Sequence, residues 1–196
     1  MVSLTENEKK ALIILFKDFS SYYNANSLSK KIGISRIGTM KLLKKLENKK
    51  ILSTQRIGKS LVYKINLDYD YVQDLISFIL SDEATHFERW KDEFKELFKD
   101  DRVIMLHGSV IYGYAKARDI DLMVIRKKGQ SGAINKVVRA RQGYLPKKIH
   151  LIDLNKEEFL KNIKGKQEAI KDIVKKAIIL YGQRTYVELI KNVSGF

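Results

Sequence analysis

The chain has 196 residues, 44% of them hydrophobic, and no cysteine. That length suits one medium domain or two small ones, and the absence of thiols excludes disulfides and thiolate metal sites. Thirty-eight Lys and Arg against 23 Asp and Glu give a net charge of +15, which points to a polyanionic partner, either nucleic acid or nucleoside phosphates. The excess is uneven. Residues 1–67 hold 14 basic and 4 acidic side chains, residues 68–100 hold 4 and 10, and residues 101–196 hold 20 and 9. Two basic blocks around an acidic one read as two functional units and a connector. Apolar runs such as residues 11–16 fall short of the roughly 18 residues that span a bilayer. The acidic start is unlike a signal peptide. A cytoplasmic protein without membrane contact is expected.

In chain order, residues 4–19 predict a helix with a stripe of Leu4, Leu12, Ile13, Leu15 and Phe16. A short helix over 27–32 follows, capped by Asn26 or Ser27, and Gly33 breaks it. Ser35 caps a third helix reaching about residue 49, with Thr39, Leu42, Leu43 and Leu46 inward. Ile37 and Met40 fit either the core or an apolar contact surface. Strands over 51–56 and 61–66 flank a Gly58-Lys59-Ser60 turn. Residues 71–99 are helical, with Asp82 restarting the helix. Strands over 102–107, 119–125 and 147–154 surround a basic helix over 133–141. Asn155 with Glu158 forms a capping-box pair. A long helix near 166–177, the apolar stretch 177–181 and a last helical piece complete an α+β half.

In a helix-turn-helix the exposed side chains near the start of the second helix meet base edges. Here those are Ser35, Arg36, Gly38 and Lys41. Lys44, Lys45, Lys49 and Lys50 continue a basic flank suited to phosphates, and the hairpin turn adds Arg56, Lys59 and Ser60. The stretch from Ser27 to Glu47, Ser-Leu-Ser-Lys-Lys-Ile-Gly-Ile-Ser-Arg-Ile-Gly-Thr-Met-Lys-Leu-Leu-Lys-Lys-Leu-Glu, resembles winged-helix transcriptional regulators. The resemblance covers residues 4–67 and implies double-stranded DNA as partner, with a homodimer reading two half-sites.

The second unit carries His107-Gly108-Ser109, a short turn with Lys116, and Asp119-Ile120-Asp121. Strand alternation puts Asp119 and Asp121 on one face and Ile120, Leu122 and Val124 on the other. Two carboxylates at this spacing suit Mg²⁺, a hard cation with oxygen ligands. Gly108 lets backbone approach a phosphate, and Ser109 can donate to phosphate oxygens. Gly108 and Gly113 have a Walker-like spacing, but Tyr114 stands where lysine is needed. His86, His107 and His150 show no metal-ligand spacing, and His86 and His107 read as partly buried polar residues.

This constellation resembles the nucleotidyltransferase superfamily that includes polymerase beta and kanamycin nucleotidyltransferase, above all its minimal members. The resemblance covers roughly residues 85–190. It implies that Gly108, Ser109 and Lys116 hold the triphosphate of ATP or another NTP and that Asp119 and Asp121 hold Mg²⁺. It further implies transfer of a nucleotidyl group, AMP, to a protein or small-molecule acceptor. The family carries a third carboxylate on the next long strand. The matching position here is His150, while Asp153 points to the opposite face unless a bulge intervenes. His150 and Asp153 are therefore both candidate catalytic residues. The expected organisation is a winged helix-turn-helix domain (1–67), a helical connector (68–84) and a small mixed-sheet nucleotidyltransferase-like domain with flanking helices (85–196). The competing reading is a non-enzymatic transcriptional regulator whose second domain is a degenerate nucleotide sensor or dimerisation module.

Overall fold

Thr5 starts the first helix, α1 (Glu6–Lys17), through a reciprocal capping box. Its hydroxyl accepts the Glu8 N–H, and the Glu8 carboxylate accepts the Thr5 N–H at 2.7 Å. The computed structural model in which this is seen describes residues 4–165 and 168–193. Helix α1 buries Ala11, Leu12, Leu15 and Phe16. Helix α2 (Ala25–Ile32) is capped by Asn24, whose side chain accepts the Asn26 and Ser27 N–H groups. The cap therefore lies ahead of both expected residues, and Ser27 instead closes the box from the third position. Gly33 ends α2, and Lys10 Nζ donates to the Ile32 carbonyl at 2.7 Å, placing a cation at the helix C-terminus where the dipole favours one.

Helix α3 (Arg36–Asn48) is capped by Ser35 and buries Thr39, Leu42, Leu43 and Leu46. Strands β1 (Leu52–Ile57) and β2 (Ser60–Ile65) form an antiparallel hairpin, one residue off the expected bounds, around a Gly58-Lys59 turn. The Tyr23 carbonyl accepts the Tyr63 N–H at 2.9 Å, tying the α1–α2 connection to the hairpin. Three helices, a glycine turn and a hairpin make a winged helix-turn-helix arrangement.

Helix α4 (Asp70–Thr85) runs unbroken through Asp82. The restart expected there comes instead at Phe87, ahead of α5 (Glu88–Glu93) and a 3-10 turn over Lys95–Leu97. The chain divides into two compact units between Ile79 and Leu80, inside α4. No helix among the described residues is long and apolar enough to cross a membrane.

The second unit is built on a mixed four-stranded sheet, β3 (Val103–His107), β4 (Ile120–Arg126), β5 (Ile149–Asn155) and β6 (Ile178–Tyr181), in the order β5-β4-β3-β6. Strand β3 is antiparallel to β4 and β6, and β4 is parallel to β5. The apolar stretch near 177–181 is thus an edge strand. Ile104, Leu106, Leu122 and Val124 face a core that also holds Trp90, Phe94, Ile134 and Val138. The alternate residues Val103, Met105, Met123 and Ile125 are equally buried, so both sheet faces are covered. Helix α6 (Ser131–Gln142) supplies the crossover from β4 to β5. Asn155 and Glu158 cap α7 (Lys156–Lys164) reciprocally. The expected long helix near 166–177 appears as α8 (Glu168–Lys176), its first two positions lying outside the described residues. Helix α9 (Gln183–Lys191) follows Gly182, whose φ is +79° and where a Cβ would come within 2.0 Å of the Arg102 carbonyl oxygen. Only glycine permits that close return of the chain after β6.

Glu8 joins α1 to α3. Its Oε1 accepts Lys45 Nζ at 2.7 Å, and the carboxylate is only 4% exposed. Burial pushes the Glu8 carboxyl up, but the Lys45 and Thr5 hydrogen bonds outweigh burial and hold it below the ordinary glutamate value. A carboxylate depressed in the folded state stabilises the fold above its unfolded value and ceases to as pH falls through the folded value. The first unit is expected to lose this contribution below pH 4.5. Glu8→Gln should cost about 1.5–3 kcal/mol at neutral pH and flatten the acid loss. Urea unfolding read by amide exchange in α1, at neutral pH and under acid conditions, checks both.

Candidate functional site

Two surfaces gather the residues singled out by sequence. The first is the exposed face of α3 with the hairpin tip. Arg36, Lys41, Lys44 and Lys49 are exposed, as are Arg56 and Lys59 at the β1–β2 turn. Lys41, Lys44, Lys45, Asn48 and Lys49 line a shallow open groove. Two expected contacts have another task. Ser35 Oγ accepts the Gly38 N–H at 3.1 Å as the cap of α3, and the Lys45 ammonium is held by Glu8. The acids nearby turn inward: Glu47, the single acid of α3, accepts the Thr54 hydroxyl at 2.9 Å. Their negative charge is thus spent within the unit, and the exposed face stays cationic.

The second surface is at the ends of β3, β4 and β5. The ladder places Asp121 opposite His107 on one side and opposite His150 on the other. His150 Nδ1 stands 3.5 Å from Asp121 Oδ1 and 3.9 Å from Asp119 Oδ2, so two carboxylates and one imidazole converge, all partly exposed. Gly108 has φ +73°, and a Cβ there would lie 2.0 Å from Asp121 Oδ2. No other residue lets the backbone pass so close to that carboxylate. Gly108 and Ser109 open a 3-10 turn, Gly108–Tyr112, and are exposed, as is Lys116 on the next turn.

Among the described residues no group of three or more His, Asp or Glu side chains forms a preassembled metal cage. Mg²⁺ seldom needs one, since it takes one or two carboxylates and fills its shell with water and substrate phosphates.

His107 is buried, with no hydrogen-bond partner for Nε2 among the described residues. Burial pushes its imidazole below the ordinary value, against the opposite pull of Asp121. His86 is exposed rather than partly buried, because it falls in the break between α4 and α5.

Asp153 lies apart from the cluster and is corrected as a candidate catalytic acid. β5 is regular, without the bulge that would have turned this side chain, so Asp153 faces away from His150. Its carboxylate accepts Arg126 Nε at 2.7 Å and Nη2 at 3.3 Å, and also the Ser131 hydroxyl.

Lys147 was not legible as part of the site. Its Nζ donates to the Tyr114 and Ala117 carbonyls, while the Tyr114 ring lies 4.4 Å from Lys147 Nζ and 4.1 Å from the Arg89 guanidinium. The turn that delivers Asp119 is thereby pinned from two sides, by Lys147 and Arg89, residues distant from it in sequence that no local pattern connects.

No family model matches the chain, and no curated protein matches it. Among solved structures, a zinc-responsive MarR family member, ZitR of Lactococcus lactis, aligns over 50% of this chain and 66% of its own at 20% identity and a TM-score of 0.34. A variant of the same regulator aligns over 51% and 66% at 21% identity and a TM-score of 0.35. The chain therefore spans just under two thirds of that regulator, and the likeness is too slight to carry a statement about fold or function.

The Arg126–Asp153 pair is nearly buried, with side chains 11% and 12% exposed. Removing one partner strands the other charge, which costs about 3–5 kcal/mol. Asp153→Ala is expected to destabilise the second unit by that order, whereas Arg126→Met with Asp153→Leu costs less than either single change. Chemical denaturation followed by Trp90 fluorescence checks this.

Proposed function

We propose that the protein is a DNA-binding regulator whose second unit binds a nucleoside triphosphate with Mg²⁺ and transfers its nucleotidyl group slowly or not at all. The observation that carries this reading is His150 Nδ1 at 3.5 Å from Asp121, in the position where nucleotidyltransferases, which the sequence resembles, have a third carboxylate. A histidine brings no negative charge to help hold a second cation. Asp119 and Asp121 fit one Mg²⁺ completed by phosphate oxygens and water. The close backbone approach at Gly108, with Ser109 and Lys116 exposed beside it, fits a triphosphate. Once bound, the ion would neutralise phosphate charge and stabilise an in-line displacement.

A second reading, a working transferase that moves AMP to a protein or small-molecule acceptor, is favoured by the paired carboxylates and the Gly108 cradle. In either reading the first unit meets duplex DNA through α3 and the β1–β2 turn, as a homodimer in the cytoplasm. The support for the DNA contact is the cationic face whose neighbouring acids are turned inward.

The logarithm of the DNA affinity is expected to fall steeply and linearly with log salt, because each phosphate contact releases counterions. Lys41→Ala should lower the slope by about 1, and Arg36→Ala should relax sequence preference at a base step. The full chain showing no salt-sensitive binding to genomic fragments would remove the DNA reading.

Titration calorimetry with Mg-ATP checks the second unit. Asp119→Asn and Asp121→Asn should each weaken metal-dependent binding at least about tenfold, since a charge-assisted contact is lost. His150→Asp should tighten Mg²⁺ binding and raise transfer from α-labelled ATP. Equal affinity in wild type and both Asn variants would make the pair a mere surface feature.

A further inference from the structure

The exposed arc of α3 is not uniformly polar. Residues 37, 41, 44 and 48 follow one another at the spacing of a single helical stripe, and that stripe is Ile37, Lys41, Lys44 and Asn48. Its first member is 68% exposed, and Met40 beside it is 51% exposed. Neither belongs to the buried set of α3, which is Thr39, Leu42, Leu43 and Leu46. An isoleucine and a methionine thus stand in water at the leading turn of the helix, and every charged residue flanking them, Arg36, Lys41 and Lys44, is cationic. The first turn offers few hydrogen-bonding groups besides Arg36, since the Ser35 hydroxyl caps the helix.

We propose that Ile37 and Met40 read thymine C5 methyl groups in the major groove, so that the protein favours A·T steps next to the phosphates gripped by its lysines. The proposal rests on the DNA reading above and names the specificity of that surface. In the major groove the thymine methyl is the one apolar mark on a base edge, and apolar side chains recognise it. The cations decide between occupants. An apolar tip ringed by arginine and lysine suits a polyanion carrying methyl groups, whereas protein interface cores are depleted of lysine.

The test compares a duplex of alternating A and T with the same duplex carrying deoxyuridine for every thymidine, which differs only by the C5 methyl. The full-length chain should bind the thymidine duplex more tightly, by about fourfold for each methyl contacted, the worth of one buried methylene-sized group. Ile37→Ala with Met40→Ala, two exposed positions where alanine suits a helix, should bring the ratio to about 1 and keep the salt dependence. Equal affinity of the wild type for both duplexes, with salt-sensitive binding intact, overturns the methyl reading and leaves the DNA reading standing. Absence of salt-sensitive binding to either duplex overturns both. Loss of self-association in the double variant, without loss of the thymidine preference, assigns the apolar tip to a protein contact and also overturns the proposal.

Discussion

Strand β4 is hydrogen-bonded on both sides, antiparallel to β3 and parallel to β5, and its register decides what meets at the strand ends. A parallel pair requires a long crossover, here α6. The end of that crossover is set by one side chain: Gln142 donates to the Leu145 and Lys147 carbonyls and accepts the Ile149 N–H at 2.8 Å. The Ile120 N–H then donates to the Lys148 carbonyl at 2.8 Å, and Asp121 comes to lie opposite His150. A one-residue slip would turn His150 to the other face and bring an isoleucine or a leucine opposite Asp121. The acidic cluster is therefore a property of sheet register before it is a property of its residues.

His150 and Asp153 show how far a strand's two faces diverge. Three residues apart, they occupy opposite sides of β5. One side meets the partly exposed carboxylates of Asp119 and Asp121. On the other side the guanidinium of Arg126 and the Ser131 hydroxyl meet an aspartate that is nearly out of water. There Coulomb attraction is strong and the alternative is an unpaired buried charge, so Asp153 is committed to holding α6 against the sheet. An aspartate so committed is directed away from the face where Asp119, Asp121 and His150 meet.

The first unit solves a different electrostatic problem. It concentrates cations on one surface without losing its fold to their repulsion. Glu8 accepts from Thr5 and Lys45, Glu47 from Thr54, and Asp18 from the Tyr23 hydroxyl at 2.6 Å. Burial, with the Asp18 charge beside it, pushes that tyrosine up to about 12. Each acid thus does internal work as a cap or a tie between elements, and the outward face of α3 keeps its positive charge. The same arrangement leaves Ile37 and Met40 as the apolar centre of a cationic surface.

Much of this was legible in the chain itself. The three helices and hairpin of the first unit followed from Gly33, Ser35 and the spacing of buried leucines, because capping and amphipathic periodicity are local. The alternation around Asp119 and Asp121, and the capping box at Asn155, were equally local. Other features were decided only in three dimensions. The Asn24 cap competed with two neighbours of similar propensity, and Ser27 closed the box instead of opening it. Asp82 stayed inside α4 because side chains on either side of it, Ile79, Leu80 and Ala84, are buried, and packing outweighed a weak cap. The edge strand β6, the Lys147 clamp on the Tyr114 turn and the Arg126–Asp153 pair all join residues 27 or more positions apart. Periodicity and capping act over one or two helical turns, whereas partners at that separation are chosen by the sheet order, so the sequence determined the elements and the tertiary structure determined which charges meet.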